Sequence, residues 1–131
     1  MTKKTWTSGE LITKTELDKL LQDLKNEALY GGVGVKTAAY VITDTDDLAI
    51  IVADGTNAVV PVTLPAATGS GRIIKVIGME VTNAVTLIRA GTDVIDAAGT
   101  TYTFTPAWEV AEVVDIAAGQ WATISATATL T

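Results

Sequence analysis

The sequence contains no cysteine and no histidine. Without thiols there are no disulfides and no thiolate metal sites, and cysteine usage says nothing about the redox compartment. Without imidazole the commonest general base and the commonest metal ligand are both missing. Aromatics are scarce, with one Phe, three Tyr and three Trp among 131 residues. Positive charge is scarce as well. Nine Lys and Arg stand against fifteen Asp and Glu, a net charge of −6, which argues against a nucleic-acid partner held by phosphate contacts. No apolar run approaches the ~20 residues a bilayer-spanning helix needs, so membrane insertion is not expected. The opening "MTKKTWTSGELITK" has two lysines but no apolar stretch behind them, and does not read as a secretory signal.

What is present is a chain 48% hydrophobic, rich in Val, Ile, Ala and Leu with much Thr beside them. That composition excludes an intrinsically disordered protein and favours strands. Residues 1–30 carry five Lys and five acids, so the whole charge deficit falls in residues 31–131.

The spacing predicts one helix over 15–30, "TELDKLLQDLKNEALY", with Thr15 as its cap and Asp18 three residues on. Leu17, Leu21, Leu24 and Ala28 follow at intervals of four, three and four, with Leu20 beside them. This is an a/d seam of about two heptads. A helix this short is marginal alone in water, so its seam needs cover, either from the rest of the chain or from copies of itself. Self-association is the expectation. The glycines of "GGVG" then end the helix.

From there the pattern alternates with period two or runs in short apolar stretches. Strands are expected at about 38–43, 48–53, 58–64, 72–77, 83–89, 101–105, 108–116 and 120–129. The corners between them are rich in Gly, Asp, Asn and Pro, which accept turn dihedrals at low cost. About eight short strands at such spacing predict a mainly β fold, a small antiparallel β-sandwich or barrel behind the short helix. Pro61 inside a strand marks an edge or a bulge. Tyr40, Tyr102, Phe104, Trp108 and Trp121 are expected to fill the core.

Candidate chemistry is thin. "LPAATGSGR" (64–72) has the glycines of a phosphate loop, but the β-branched "IIKVI" behind it is a strand, not the helix N-terminus such a loop requires. A corner is expected. Asp44, Asp46 and Asp47 in "DTDD" supply three carboxylates where calcium takes about six to eight oxygens, so no metal and no cofactor are expected. Glu109 and Glu112 have odd spacing on one strand and fall on opposite faces. No serine stands in a nucleophile elbow. The chain is not expected to be an enzyme.

The order "AYVIT", acidic corner, "VTLPAA", Gly-rich corner, "IIKVI", "NAVTLI", "VID", "TYTFT" and a last hairpin with Trp121, spanning about 38–124, resembles a small β-domain of tailed-bacteriophage fibre and other virion-surface proteins. "TWTSGELIT" is similar to the opening segment of many small phage structural proteins, matched here at Trp6, Gly9 and Ile12. The chain departs from the pattern at its last hairpin, "AAGQW", and it lacks a long repetitive shaft. The resemblance implies a virion structural role. Residues 1–14 would attach the protein to other virion proteins of the capsid or tail, 15–30 would trimerise it through Leu17, Leu20, Leu21, Leu24 and Ala28, and 31–131 would form an exposed all-β knob. Two alternatives belong to other classes. One is a host-receptor or carbohydrate-binding tip using Tyr102, Trp108 and Trp121 against host-surface glycan. The other is a polysaccharide-degrading enzyme, for which no carboxylate pair is found.

Overall fold

The computed structural model describes residues 13–30, 32–46, 48 and 50–131, the side chains of 23–30 excepted. It divides into two compact units, Met1–Gly31 and Gly32–Thr131.

The first unit holds α1 (Lys14–Tyr30). Its cap is Thr13 rather than Thr15. The Glu16 N–H donates to Thr13 Oγ1 and the Thr13 N–H donates to Glu16 Oε2, both at 3.1 Å. This reciprocal pair satisfies two of the amides that a helix start leaves open. Glu reaches back to the cap amide where the shorter Asp18 does not. Asp18 lies inside the helix and receives Lys14 Nζ at 2.6 Å, one turn away. Leu17, Leu20 and Leu21 are exposed. Leu24 and Ala28 fall on α1, with side chains outside the described residues, and the proposed attachment residues Trp6, Gly9 and Ile12 lie outside them altogether.

The second unit is built of strands β1 (Val33–Lys36), β2 (Tyr40–Val41), β3 (Ile50–Asp54), β4 (Val60–Thr63), β5 (Ile73–Glu80), β6 (Val85–Ile88), β7 (Val94–Ile95), β8 (Thr101–Phe104), β9 (Glu109–Ala117), β10 (Gln120–Ala126) and β11 (Thr129–Leu130). They form a six-stranded sheet in the order β1-β3-β5-β9-β10-β7 and a five-stranded sheet in the order β11-β8-β6-β4-β2.

This is not the antiparallel sandwich or barrel that the sequence suggests. The ladders β1/β3 and β3/β5 are parallel, as are β2/β4 and β4/β6. Up to β6 the chain changes sheet after every strand, so it winds three coils of a β-solenoid. Antiparallel pairing enters only with the C-terminal part, where β9 joins β5, β10 joins β9, β8 joins β6 and β11 joins β8. Both sheets are therefore mixed. The error has a physical source. A corner of Gly, Asp and Asn signals a change of direction, and the same residues serve a hairpin within one sheet or an arc between two.

The register is even between the second and third coils. Ile51 pairs with Val76 and Val60 with Val85. Alternation then points Ile51, Ala53, Ile74, Val76, Ala111 and Val113 inward from one sheet, and Val60, Val62, Val85, Leu87, Tyr102 and Phe104 from the other, into one core closed by Trp121. Pro61 lies in β4, between β6 and β2. Because β2 reaches only Val62 and Thr63, the strand is an edge at the level of Pro61, and its missing N–H leaves no ladder bond unmade.

Candidate functional site

Three features were weighed as candidate sites: the Gly-rich corner, the acidic residues and the aromatics. The structure places each of them except Asp47, which lies outside the described residues.

Residues 65–72 form a corner between β4 and β5. Gly69 and Gly71 take φ of 82° and 76°, the left-handed region that side-chain-bearing residues avoid. The corner is held by Asp115, which points inward from β9 and is 3% exposed. The Thr68 N–H donates to both Asp115 oxygens at 3.0 Å, the Gly69 N–H to Oδ1 at 2.7 Å, and the Ser70 hydroxyl to Oδ2 at 2.8 Å. Burial by itself pushes the Asp115 carboxyl up. The donors on Thr68, Gly69 and Ser70 outweigh it and hold the group down from its usual 3.8 to about 2.

Neighbouring residues fasten the same edge of the solenoid. Arg72 donates to the Thr43 carbonyl at 2.8 Å and to the Asp46 carbonyl at 2.6 Å, tying the first coil's corner to the start of β5. Asp93 accepts the Ala67 N–H at 2.8 Å. A cleft of about 260 Å³ runs along this edge past Asp44, Thr68, Ser70, Arg72 and Asp115. The charged groups of Arg72 and Asp115 are already committed to the corners.

Four further carboxylates follow the same rule. Asp54 accepts from the Thr56 N–H at 3.0 Å, Glu80 from the Thr82 N–H at 3.0 Å, Asp96 from the Thr123 N–H at 2.8 Å and Glu109 from the Thr105 N–H at 2.8 Å. Side-chain and backbone donors of Thr56 and Thr82 hold Asp54 and Glu80 below their usual values. Among the described residues no group of three His, Cys, Asp or Glu could hold a metal ion. Glu112 faces outward and Glu109 clasps its own corner, so the two do not converge.

The aromatics separate. Tyr102, Phe104 and Trp121 are core residues at 2%, 2% and 0% exposure, and Tyr40 packs partly buried against the core. Two of the three candidate ligand residues, Tyr102 and Trp121, are therefore unavailable to any ligand. The Tyr102 hydroxyl is hydrogen-bonded to Thr123 Oγ1. Trp108 is the opposite case. Expected in the core, it is 67% exposed and takes φ of 70° at the corner between β8 and β9, with its N–H donating to the Gly78 carbonyl. The hydrophobicity of the residue suggested burial; the corner "TPAWE" set its position.

Sequence reasoning missed the clasps. A signal for Asp115 was present, since its spacing from Ala111 and Val113 puts a carboxylate on the buried face of "VAEVVDI". Such a group must be hydrogen-bonded. Nothing marks Arg72 and Asp93, whose partners are backbone atoms far along the chain.

No family model matches this chain, and no curated protein matches it.

Proposed function

We propose that the chain is a structural protein of a bacteriophage particle, a short fibre or decoration protein on the virion surface, assembled through α1 into a homotrimer and attached to other virion proteins by its N-terminal segment. The observation that carries the assembly is the pairing of a short capped helix with an exposed leucine stripe, Leu17, Leu20 and Leu21. A helix of this length gains most of its stability from packing, and three exposed leucines on it are a contact surface. The phage setting rests on the resemblance across 38–124 and at Trp6, Gly9 and Ile12. A non-catalytic role is supported by Asp54, Glu80, Asp96, Glu109 and Asp115, each of which is bound to a corner of the fold.

Mass in solution tests the assembly. The full chain is expected to run as a trimer by light scattering at micromolar concentration, and Leu17→Asp with Leu21→Asp to run as a monomer with an unchanged β-signature in circular dichroism. A wild-type monomer with α1 formed would end this reading. Immunogold labelling of the encoding particle tests the setting, and unlabelled particles would remove it.

One observation favours a second reading. Trp108 stands out of the fold in a backbone conformation that is unfavourable for a bulky residue, and such outliers gather at binding sites. A glycan-binding tip would then rest on Trp108 without Tyr102 or Trp121. Retention on a glycan array that disappears with Trp108→Ala supports it; no retention of the wild type rejects it.

A further inference from the structure

The two sheets present very different outer faces. On the five-stranded sheet the outward rows are Pro61–Thr86–Thr103–Thr129 and Val41–Thr63–Ile88–Thr101. Threonine dominates, as expected of a strand face in water. On the six-stranded sheet one outward row is Val35–Val52–Ile77–Val110, aliphatic across four strands. Beside it run Val33–Ile50–Lys75–Glu112 and Ile73–Val114–Ala122. Val33, Val35 and Ile73 are exposed at 64%, 58% and 50%. A contiguous apolar sheet face is unusual on a protein surface that stays uncovered. Within these rows Lys75 lies beside Glu112, a pair of opposite sign that is neutral as a unit, and Asp54 pairs with Glu80 at the far end of β3 and β5.

Covalent connection says what lies near it. The face begins at β1, and only Gly31 and Gly32 separate Tyr30 of α1 from Val33. Three residue steps reach at most about 11 Å. Helices packed along a common seam sit roughly 8–10 Å apart. When α1 of one copy packs on α1 of another, the β1 strands of the copies are thus delivered to the same small region, with Val33 and Val35 already exposed there.

We infer that the outer face of the six-stranded sheet, centred on the row Val35, Val52, Ile77 and Val110, is buried against the same protein in a neighbouring copy. The inference rests on the assembly of α1 proposed above and extends it from the helix to the solenoid.

The absence of native cysteine makes the test direct. Val35→Cys, Ile77→Cys and, on the opposite face, Thr103→Cys are made singly in the full chain. Maleimide labelling rates are measured at concentrations above and below assembly, as fixed by light scattering. The expected result is at least ten-fold slower labelling of Cys at 35 and 77 in the assembled protein than in the diluted monomer, with the rate at 103 the same in both. Equal rates at all three positions in an assembly of confirmed mass overturn the inference and leave the helix reading standing. Protection at 35 and 77 that persists unchanged in the monomer puts the chain's own segments on this face and also overturns it. A wild-type chain that stays monomeric at every concentration removes both.

Discussion

A carboxylate on the inward face of a strand destabilises a fold unless donors meet it. Asp115 is met by the amides of Thr68 and Gly69 and the hydroxyl of Ser70, so it is better bonded in the fold than in the unfolded chain. Its carboxyl stands at about 2 when folded against 3.8 ordinarily. A lowered folded value means stability that is fully present above pH ~4 and lost as pH falls toward 2, here roughly 2 kcal/mol. Urea midpoints at pH 6 and pH 2.5 check this: the wild type should lose most of that increment, and Asp115→Asn should lose less between the two pH values. Asp115→Ala removes the charged acceptor shared by the Thr68 and Gly69 amides and the Ser70 hydroxyl, so at pH 6 it should cost about 1.5–3 kcal/mol. Trp108 is the reverse case. At φ 70° and 67% exposure it carries left-handed strain of about 1–2 kcal/mol. Trp108→Gly relieves that strain and raises unfolded-chain entropy, leaving stability unchanged or higher by up to about 1 kcal/mol. Trp121→Ala, in the core, should cost about 3–5 kcal/mol. Thermal unfolding of the two variants side by side separates a core tryptophan from a presented one.

At the scale of elements, corners matter as much as strands. The corner after β3 brings Gly55 into the third coil: its N–H donates to the Glu80 carbonyl, and its carbonyl accepts the Asn83 N–H, both at 2.8 Å. A Cβ at Gly55 would lie 2.5 Å from the Asn83 carbonyl oxygen and 2.9 Å from that of Glu80. These are backbone atoms, so Gly55→Ala must push the coils apart, and chemical denaturation should show a loss of about 1–3 kcal/mol. Most strands were legible because their inward residues are β-branched at every second position, as in "IIKVI" and "VAEVV". β1 was missed because its inward positions are Gly34 and Lys36, which break the apolar alternation; β7 and β11 are two residues each and have no period to read. The solenoid winding was legible in principle. "TNAV" stands at 56–59 and again at 82–85, one residue off the spacing of Val60 from Val85 in the ladder. Such a recurrence is the mark of stacked coils. Strand pairing was the opaque part, because the residues that pair β9 with β5 sit far from it in sequence and carry no local sign of their partner. In the candidate site the corner at 64–72 was legible and its clasp from β9 was not, for the same reason.

Taken as a whole, the solenoid has two unlike ends. At the C-terminal end β9 and β10 run antiparallel and β11 closes on β8, with the Thr131 N–H donating to the Thr101 carbonyl at 2.9 Å. At the other end β1 and β2 are the outermost strands of their sheets. A stack of coils is held by contacts between neighbours, so a coil with only one neighbour opens more easily than one with two. The first coil's strands β1 and β2 also contribute no buried residue: Leu48 fills the space over Gly34, and Lys36 lies 3.9 Å from the Tyr40 ring centroid, where later strands have Ile51, Val76 and Leu87 fully buried. Local opening should therefore follow a gradient along the stack. Amide hydrogen exchange on the diluted, unassembled protein should show, among β1 to β6 and β9, the least protection in β1 and β2 and the most in β5, β6 and β9, approaching the free energy of global unfolding. Equal protection from β1 to β9 would mean that the coils unfold as one unit and the gradient does not exist. On assembly the order at one end should change. If neighbouring copies cover the face that begins at Val33 and Val35, the amides of β1 gain protection while those of β2, on the threonine-rich sheet, gain little.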